Sequence, residues 1–518
     1  MKMPIPRCAC GARGRRDCPA LGGVICPACC GSRRGSELSC PAHCPNFPFG
    51  TVAYDLWLRV DATWSAKATR YVVEHIGSDA LEALAREELI GDPEDEEVFL
   101  SAFAAALHRA LFLRPDNEGK TLAERWEAEG WRGLNNDERV MTRYRRQSFP
   151  TIIEIQRVLD AQGVECTDLF APEPKPFIIF DRNTAARAVR FDRLLVWLCH
   201  YPHFSRLGPE GVTLPRDLSG RVIEAIRLLA QAEAQDPQAA DPKEYLKEHF
   251  SECCALVAEM SEQRFQEILR SVDLHECTAY YALRRPRAEV EAVLSSKPDF
   301  ELDDELDAVE EGDPPGTLYY SWLRRGESKE IEKDMPGLLS SDGGADMVGS
   351  LGKVKLLPDG LVITTFSLQK FAFAKDMAER YFGGLVSFCR ETVVDLAQEM
   401  AERRARGGDA GDEEPQPRRH EEPVPLGVQQ QVAQSFFTDY YRKFLDAPIP
   451  ALHGKTPRQA AKDPVMRAEL IELMKLHLQN MEQSNREKGL RIDISWVVDE
   501  LGLTELAERS PRPRVSCQ

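Results

Sequence analysis

Apolar residues recur at helical spacing through 51–146, where Leu56, Val60, Trp64 and Ala68 form one stripe and Phe99, Phe103, Ala106 and Leu107 another. Asp92-Pro93 reads as a helix start, and Leu111, Leu113, Leu122 and Trp126 continue the apolar theme. Over 147–215 the period shortens. Ile152–Val158, Val164–Leu169, Phe177–Phe180 and Leu194–Leu198 are short β-rich runs separated by turn residues, with Pro202 and Pro215 at the end, which predicts a small antiparallel sheet or barrel. Residues 216–299 return to helix on the stripe Leu218, Val222, Ile226 and Leu229, with a hinge between Asp236-Pro237 and Asp241-Pro242.

An acidic linker spans 300–316. A mixed α/β unit over 317–403 carries a strand at Thr317–Leu323 and a hairpin, Lys353–Leu357 and Leu361–Phe366, around Pro358-Asp359-Gly360. A helix follows through Phe371, Lys375, Ala378 and Phe382 and stops at Gly383-Gly384. Residues 404–425, rich in Gly, Pro and charge, form a linker, and 426–507 are helical. The fold class this predicts is α+β and multidomain, headed by a Cys-rich module over 1–50.

Composition sharpens that picture. The 518 residues are 43% hydrophobic and 29% charged, which excludes a largely disordered, collagenous or coiled-coil chain. No run of 18 apolar residues occurs, and the opening lacks the apolar core of a secretory signal, so a cytoplasmic protein without membrane association is expected. The net charge of −18 is uneven: Lys2, Arg7, Arg13, Arg15, Arg16, Arg33 and Arg34 against Asp17 and Glu37 make the head +5 and the rest −23. An acidic body disfavours broad nucleic-acid binding. The basic head could contact phosphate, an acidic partner or its own body.

Eight of the 15 cysteines lie in that head, and in a reducing compartment clustered thiols read as metal ligands before disulfides. Cys26-x2-Cys29, then ten residues, then Cys40-x3-Cys44 is zinc-ligand spacing, with Pro27, Gly31, Gly35, Pro41 and Pro45 supplying turns. Cys8, Cys10, Cys18 and Cys30 provide four more thiols, enough for a second site. Eight thiols divide into two fours in many ways; Cys30 could replace Cys29, and His43 could replace a thiol. A segment this short cannot fold on apolar burial alone, so zinc would supply its folding free energy.

Four stretches carry a family resemblance: Cys26-Pro-Ala-Cys-Cys-Gly-Ser-Arg-Arg34 with Cys40-Pro-Ala-His-Cys44; Ser148–Gln156 to Asp168-Leu169; Leu351–Lys355 to Phe366-Ser367; and Phe444-Leu-Asp-Ala-Pro-Ile-Pro450 with His453-Gly-Lys-Thr-Pro-Arg458-Gln-Ala-Ala461. Together they resemble a group of bacterial proteins placed with those carrying the zinc motif of the preprotein translocase ATPase tail (SEC-C). The last stretch is similar to WLDxPxPALxGKTPREA, with Phe444, His453 and Gln459 departing from it. The tail motif itself is C-x-C-x8-C-(C/H), whereas here Cys8-x-Cys10 leads to Cys18-Pro19, different in spacing and fourth ligand. The resemblance implies a zinc and no established activity.

No nucleotide-binding or hydrolase signature occurs. Gly343-Gly344 and Gly407-Gly408 lie in polar linkers. His249-x3-Cys253 with Cys254, Cys199-His200 with His203, and His275-Glu276-Cys277 are the remaining chemical candidates, each more simply read as structural. Thr456 and Pro457 read as a helix cap and first residue, with Lys455 and Arg458 as a possible anion holder. The function that follows is a zinc-headed protein acting through a protein partner, catalysis left open. The alternative is contact with RNA or DNA through Arg13, Arg15, Arg16, Arg33 and Arg34.

Overall fold

The computed structural model describes residues 7–89, 95–271, 273–303, 313–328, 350–405 and 426–507. Lys2, Asp92-Pro93, 304–312 of the acidic linker, Gly343-Gly344, 406–425 of the second linker and Cys517 lie outside them. The architecture is mixed α+β, in two compact units: residues 1–261 with 472–486, and 262–471 with 487–518.

The first unit opens with the hairpin β1 (Arg16–Cys18) and β2 (Gly23–Ile25), then the short helix α1 (Pro27–Arg33). Helices α2 (Tyr54–Ile76), α3 (Ser78–Glu87), α4 (Glu96–His108, continued by a π-helical turn Arg109–Leu113), α5 (Leu122–Ala128) and α6 (Asn136–Arg145) follow. Capping boxes at Thr121/Glu124 and Asn135/Glu138 satisfy the first N–H groups of α5 and α6. The α2 stripe is buried at Val60, Trp64 and Ala68, against Leu111, Trp126 and Met141 of the same core.

A closed barrel comes next, from β3 (Phe149–Asp160), β4 (Gly163–Asp168), β5 (Phe177–Phe180), β6 (Arg193–His200) and β7 (Ser205–Thr213), in the order β3-β4-β5-β7-β6, with α7 (Arg182–Arg187) before β6. The fifth strand is broken by Gly208, Pro209 and Gly211, so no apolar run announces it. Those glycines are steric necessities: a Cβ on Gly208 would stand 2.5 Å from Trp197 Cβ, and neither atom can swing away. Gly208→Ala is expected to cost about 1–3 kcal/mol and to lower the thermal midpoint of this unit by roughly 2–4 °C per kcal/mol; an unchanged midpoint would contradict the packing. Glu154, buried on the outer face of β3, meets Arg193 at 2.7 Å and Lys475 at 2.9 Å. Burial pushes its carboxyl up, but those two cations outweigh it and hold the group below the ordinary glutamate range.

Helices α8 (Ser219–Glu233) and α9 (Pro242–Ser271) complete this part of the chain, with the barrel's Trp197 packed on Phe250. Leu229 of the α8 stripe is exposed and Ala230 is buried in its place. His108 lies with its ring 5.0 Å from that of Trp197 and 5.3 Å from that of Phe112. Burial first, then Arg145 and Arg109, push its pKa down to about 3. An unfolded histidine takes up its proton near pH 6.5, so the stabilisation from neutral His108 is present above that pH and lost as pH falls towards 3. Between pH 6.5 and 4 the unit is expected to lose about 3 kcal/mol through this residue. Urea titrations of His108→Gln should show a flatter acid limb; an unchanged one would contradict the assignment.

The second unit holds a six-stranded antiparallel sheet in the order β13-β8-β12-β11-β10-β9. Its strands are β8 (His275–Leu283), β9 (Phe300–Leu302), β10 (Leu318–Leu323), β11 (Ser350–Leu356), β12 (Gly360–Thr365) and β13 (Val386–Asp395), with α10 (Arg287–Ser296) and α11 (Leu368–Phe382) between them. The hairpin around Pro358-Asp359-Gly360 is β11–β12, and α11 ends at Gly383. His275–Leu283 corrects the reading of 216–299 as helical throughout: with Cys277, Ala279 and Tyr281 buried on one face, it alternates like a strand and is paired on both edges. Helix α12 (Leu396–Ala405) closes this part.

Helices α13 (Leu426–Asp446), α14 (Pro457–Ala460), α15 (Met466–Lys488) and α16 (Ser495–Glu500) end the chain, with 472–486 of α15 counted in the first unit. Thr456 caps α14 through a capping box with Gln459, and Pro457 is its first residue. Lys455 pairs with Asp463 at 2.5 Å and Arg458 with Glu500 at 2.8 Å, so both cations of this motif are engaged within the fold.

Candidate metal centre

Residues 7–13 form a tight knuckle. Cys8 N–H donates to Ala12 O at 2.9 Å and Gly11 N–H to Cys8 O at 2.8 Å. Gly11 takes φ +85°, a left-handed conformation that glycine adopts without a Cβ penalty. The β1–β2 hairpin then returns the chain to Cys26, which is the N-cap of α1: its sulfur accepts the N–H of Cys29 at 3.4 Å. Pro27 at the first helical position has no N–H to leave unsatisfied.

The sulfurs of Cys8, Cys10, Cys26 and Cys29 all lie within 4.8 Å of one another, and those of Cys10 and Cys26 are 3.6 Å apart. Four thiolates around one Zn²⁺ at 2.3 Å stand about 3.8 Å apart, so the cluster fits an ion after small side-chain adjustment. Backbone N–H groups of Cys10 and Cys26 pull the Cys8 thiol down to about 6, while sulfur contacts with Cys10, Cys26 and Cys8 push Cys29 up to about 12. Thiols so close cannot all ionise without a cation between them. The N-terminus of α1 adds a favourable field for negative sulfur at Cys26 and Cys29.

The grouping differs from the one that spacing selects. Cys26 and Cys29 do act as a pair, but Cys8 and Cys10 complete the four, in place of Cys40 and Cys44. Cys18 (7% exposed), Cys30 (6%), Cys40 (8%) and Cys44 (5%) are buried elsewhere in the head's interior. His43 is exposed and belongs to neither set.

The head is docked on its own unit. Arg34 is buried, its Nε donating to Asp137 Oδ1 at 2.8 Å and a second nitrogen to Oδ2; it also reaches the carbonyl of Asn46. Asn136 Nδ2 donates to Arg34 O at 2.9 Å, and a ring nitrogen of His203 lies 2.8 Å from Cys40 O. Phe49 stacks on Tyr201 with ring centroids 5.2 Å apart. Of the five arginines read as a contact surface, Arg34 therefore turns inward and Arg33 pairs with Glu37 at 2.7 Å, whereas Arg13 and Arg15 are exposed and Arg16 is half-buried.

The other candidate constellations do not assemble. Cys199 and His200 are adjacent on β6 and so project to opposite faces. Burial pushes the Cys199 thiol up to about 11, and His200 Nδ1 lies 2.6 Å from Ser205 Oγ. His249 sits at a kink of α9 and pairs with Glu233 at 3.0 Å, away from the buried Cys253 and Cys254. His275 pairs with Asp273 at 2.9 Å, and Cys277 is fully buried in the sheet core. Among the described residues, no helix is long and apolar enough to cross a membrane. Compared with protein-family models, curated proteins and solved structures, the chain gives no match.

Proposed function

We propose that the head is a structural zinc module, with Cys8, Cys10, Cys26 and Cys29 as ligands, and that the protein is a non-catalytic cytoplasmic adaptor of the zinc-headed bacterial group it resembles. The observation that carries this reading is the set of four sulfurs within 4.8 Å. Soft thiolates favour zinc among the abundant divalent ions. Four of them fill its coordination shell and leave no position for water or substrate, the mark of a structural rather than catalytic site.

An exposed apolar stripe on α13 supports the partner-binding half: Val428, Val432, Phe436 and Tyr440, spaced four residues apart, are 36–64% exposed. The nucleic-acid alternative loses ground because the inward turn of Arg34 and the Arg33–Glu37 pair thin the basic surface of the head.

The test is zinc content of the full-length protein prepared without chelator, wild type against Cys8→Ser/Cys29→Ser. Zinc in the wild type that falls by about one atom per chain in the variant is expected. A wild type free of metal would overturn the reading.

A further inference from the structure

We propose that Cys18, Cys30, Cys40 and Cys44 form a second zinc site, interleaved along the chain with the first. This rests on the reading of the first cluster, which consumes four thiols and leaves these four.

Three separate segments deliver them. Cys18 ends β1, paired opposite Gly23 in the hairpin. Cys30 follows Cys29 on α1, about 100° further round the helix, and is buried while Cys29 is only half-buried. Cys40 and Cys44 lie on the turns after α1, where Leu38 N–H donates to Arg33 O at 2.9 Å, Cys40 N–H to Leu38 O at 3.0 Å and Cys44 N–H to Pro41 O at 3.0 Å. These turns fold the chain back on α1: Arg34 N–H donates to Cys30 O at 3.0 Å and Gly35 N–H to Leu38 O at 3.1 Å, and the Cys40 sulfur feels the charges of Cys44, Cys18 and Cys30. All four are buried, and none is in a disulfide. Their sulfurs are more widely spread than those of the first group, so an ion here would draw them together.

One further observation favours metal over inert packing. Among the described residues, the other large buried apolar side chains of the head are Ile25, Leu38, Phe47 and Phe49, too few to hold a segment of this length.

Zinc content and cobalt titration of the full-length chain decide the matter. Two zinc atoms per chain are expected, falling to one in Cys18→Ser/Cys40→Ser, and the thiolate-to-cobalt charge-transfer absorption of the metal-stripped wild type should saturate at two equivalents. The wild-type titration stands even if that variant does not fold. One zinc per chain, unchanged in the variant, with cobalt saturating at one equivalent, would overturn the second site and leave the first intact. A wild type without metal would instead remove the reading on which both rest.

Discussion

Cys26→Ser combined with Cys29→Ser is expected to abolish metal at the first cluster and unfold the knuckle of residues 7–13 and the hairpin after it, while the barrel stays folded. Binding of a structural zinc supplies roughly 10–16 kcal/mol in small metal-folded modules, and little in the knuckle, the hairpin or the start of α1 can replace it. Helix α1 is seven residues long, below the length at which a helix persists in water. The hairpin β1–β2 has three residues per strand, too few to stand alone. Trypsin offers a direct readout, because Arg13, Arg15 and Arg16 sit at or beside that hairpin. Cleavage there should accelerate by at least ~100-fold once local unfolding is no longer opposed by metal. Chelation of the wild type should reproduce the effect. Cleavage at the wild-type rate in the double variant would show that the head folds without the cluster.

Asp137→Ala is expected to destabilise the first unit by about 3–5 kcal/mol, because it strands the Arg34 guanidinium, 8% exposed, without its carboxylate. The companion contact to Asn46 O remains but cannot compensate a buried charge. Arg34→Met with Asp137→Ala removes both charges and should recover most of the loss, as apolar replacement of a buried pair usually does. Thermal unfolding of the three proteins tests this. Equal midpoints for wild type and Asp137→Ala would mean that the pair does not anchor the head to α6.

Much of the architecture was readable from period alone. The α2 stripe, the β-rich runs of 147–215, the hairpin at Pro358-Asp359-Gly360 and the cap at Thr456 each carry a local signal that the structure repeats. Strand β7 was not readable because Gly208, Pro209 and Gly211 interrupt its apolar pattern; its two glycines serve close packing on β6, which only the closed barrel reveals. Strand β8 was hidden between helical stretches.

At the metal centre, Cys26-x2-Cys29 was legible as a pair because both thiols lie within one helical turn. Its partner pair was not. Cys40 and Cys44 are near in sequence, but the hairpin brings the knuckle of Cys8 and Cys10 to the start of α1 instead. Arg34 shows the same limit: its charge is plain in the sequence, but Asp137 lies 103 residues away and only the fold joins them.

X-ray absorption at the zinc edge of the full-length protein tests the central claim most directly. The account predicts a first shell of four sulfurs at about 2.3 Å with no lighter ligand, lost together with the metal when Cys8, Cys10, Cys26 and Cys29 are replaced, apart from any contribution from the second four. A shell containing oxygen or nitrogen, as an open catalytic position would give, or the absence of bound metal, would contradict a closed structural site.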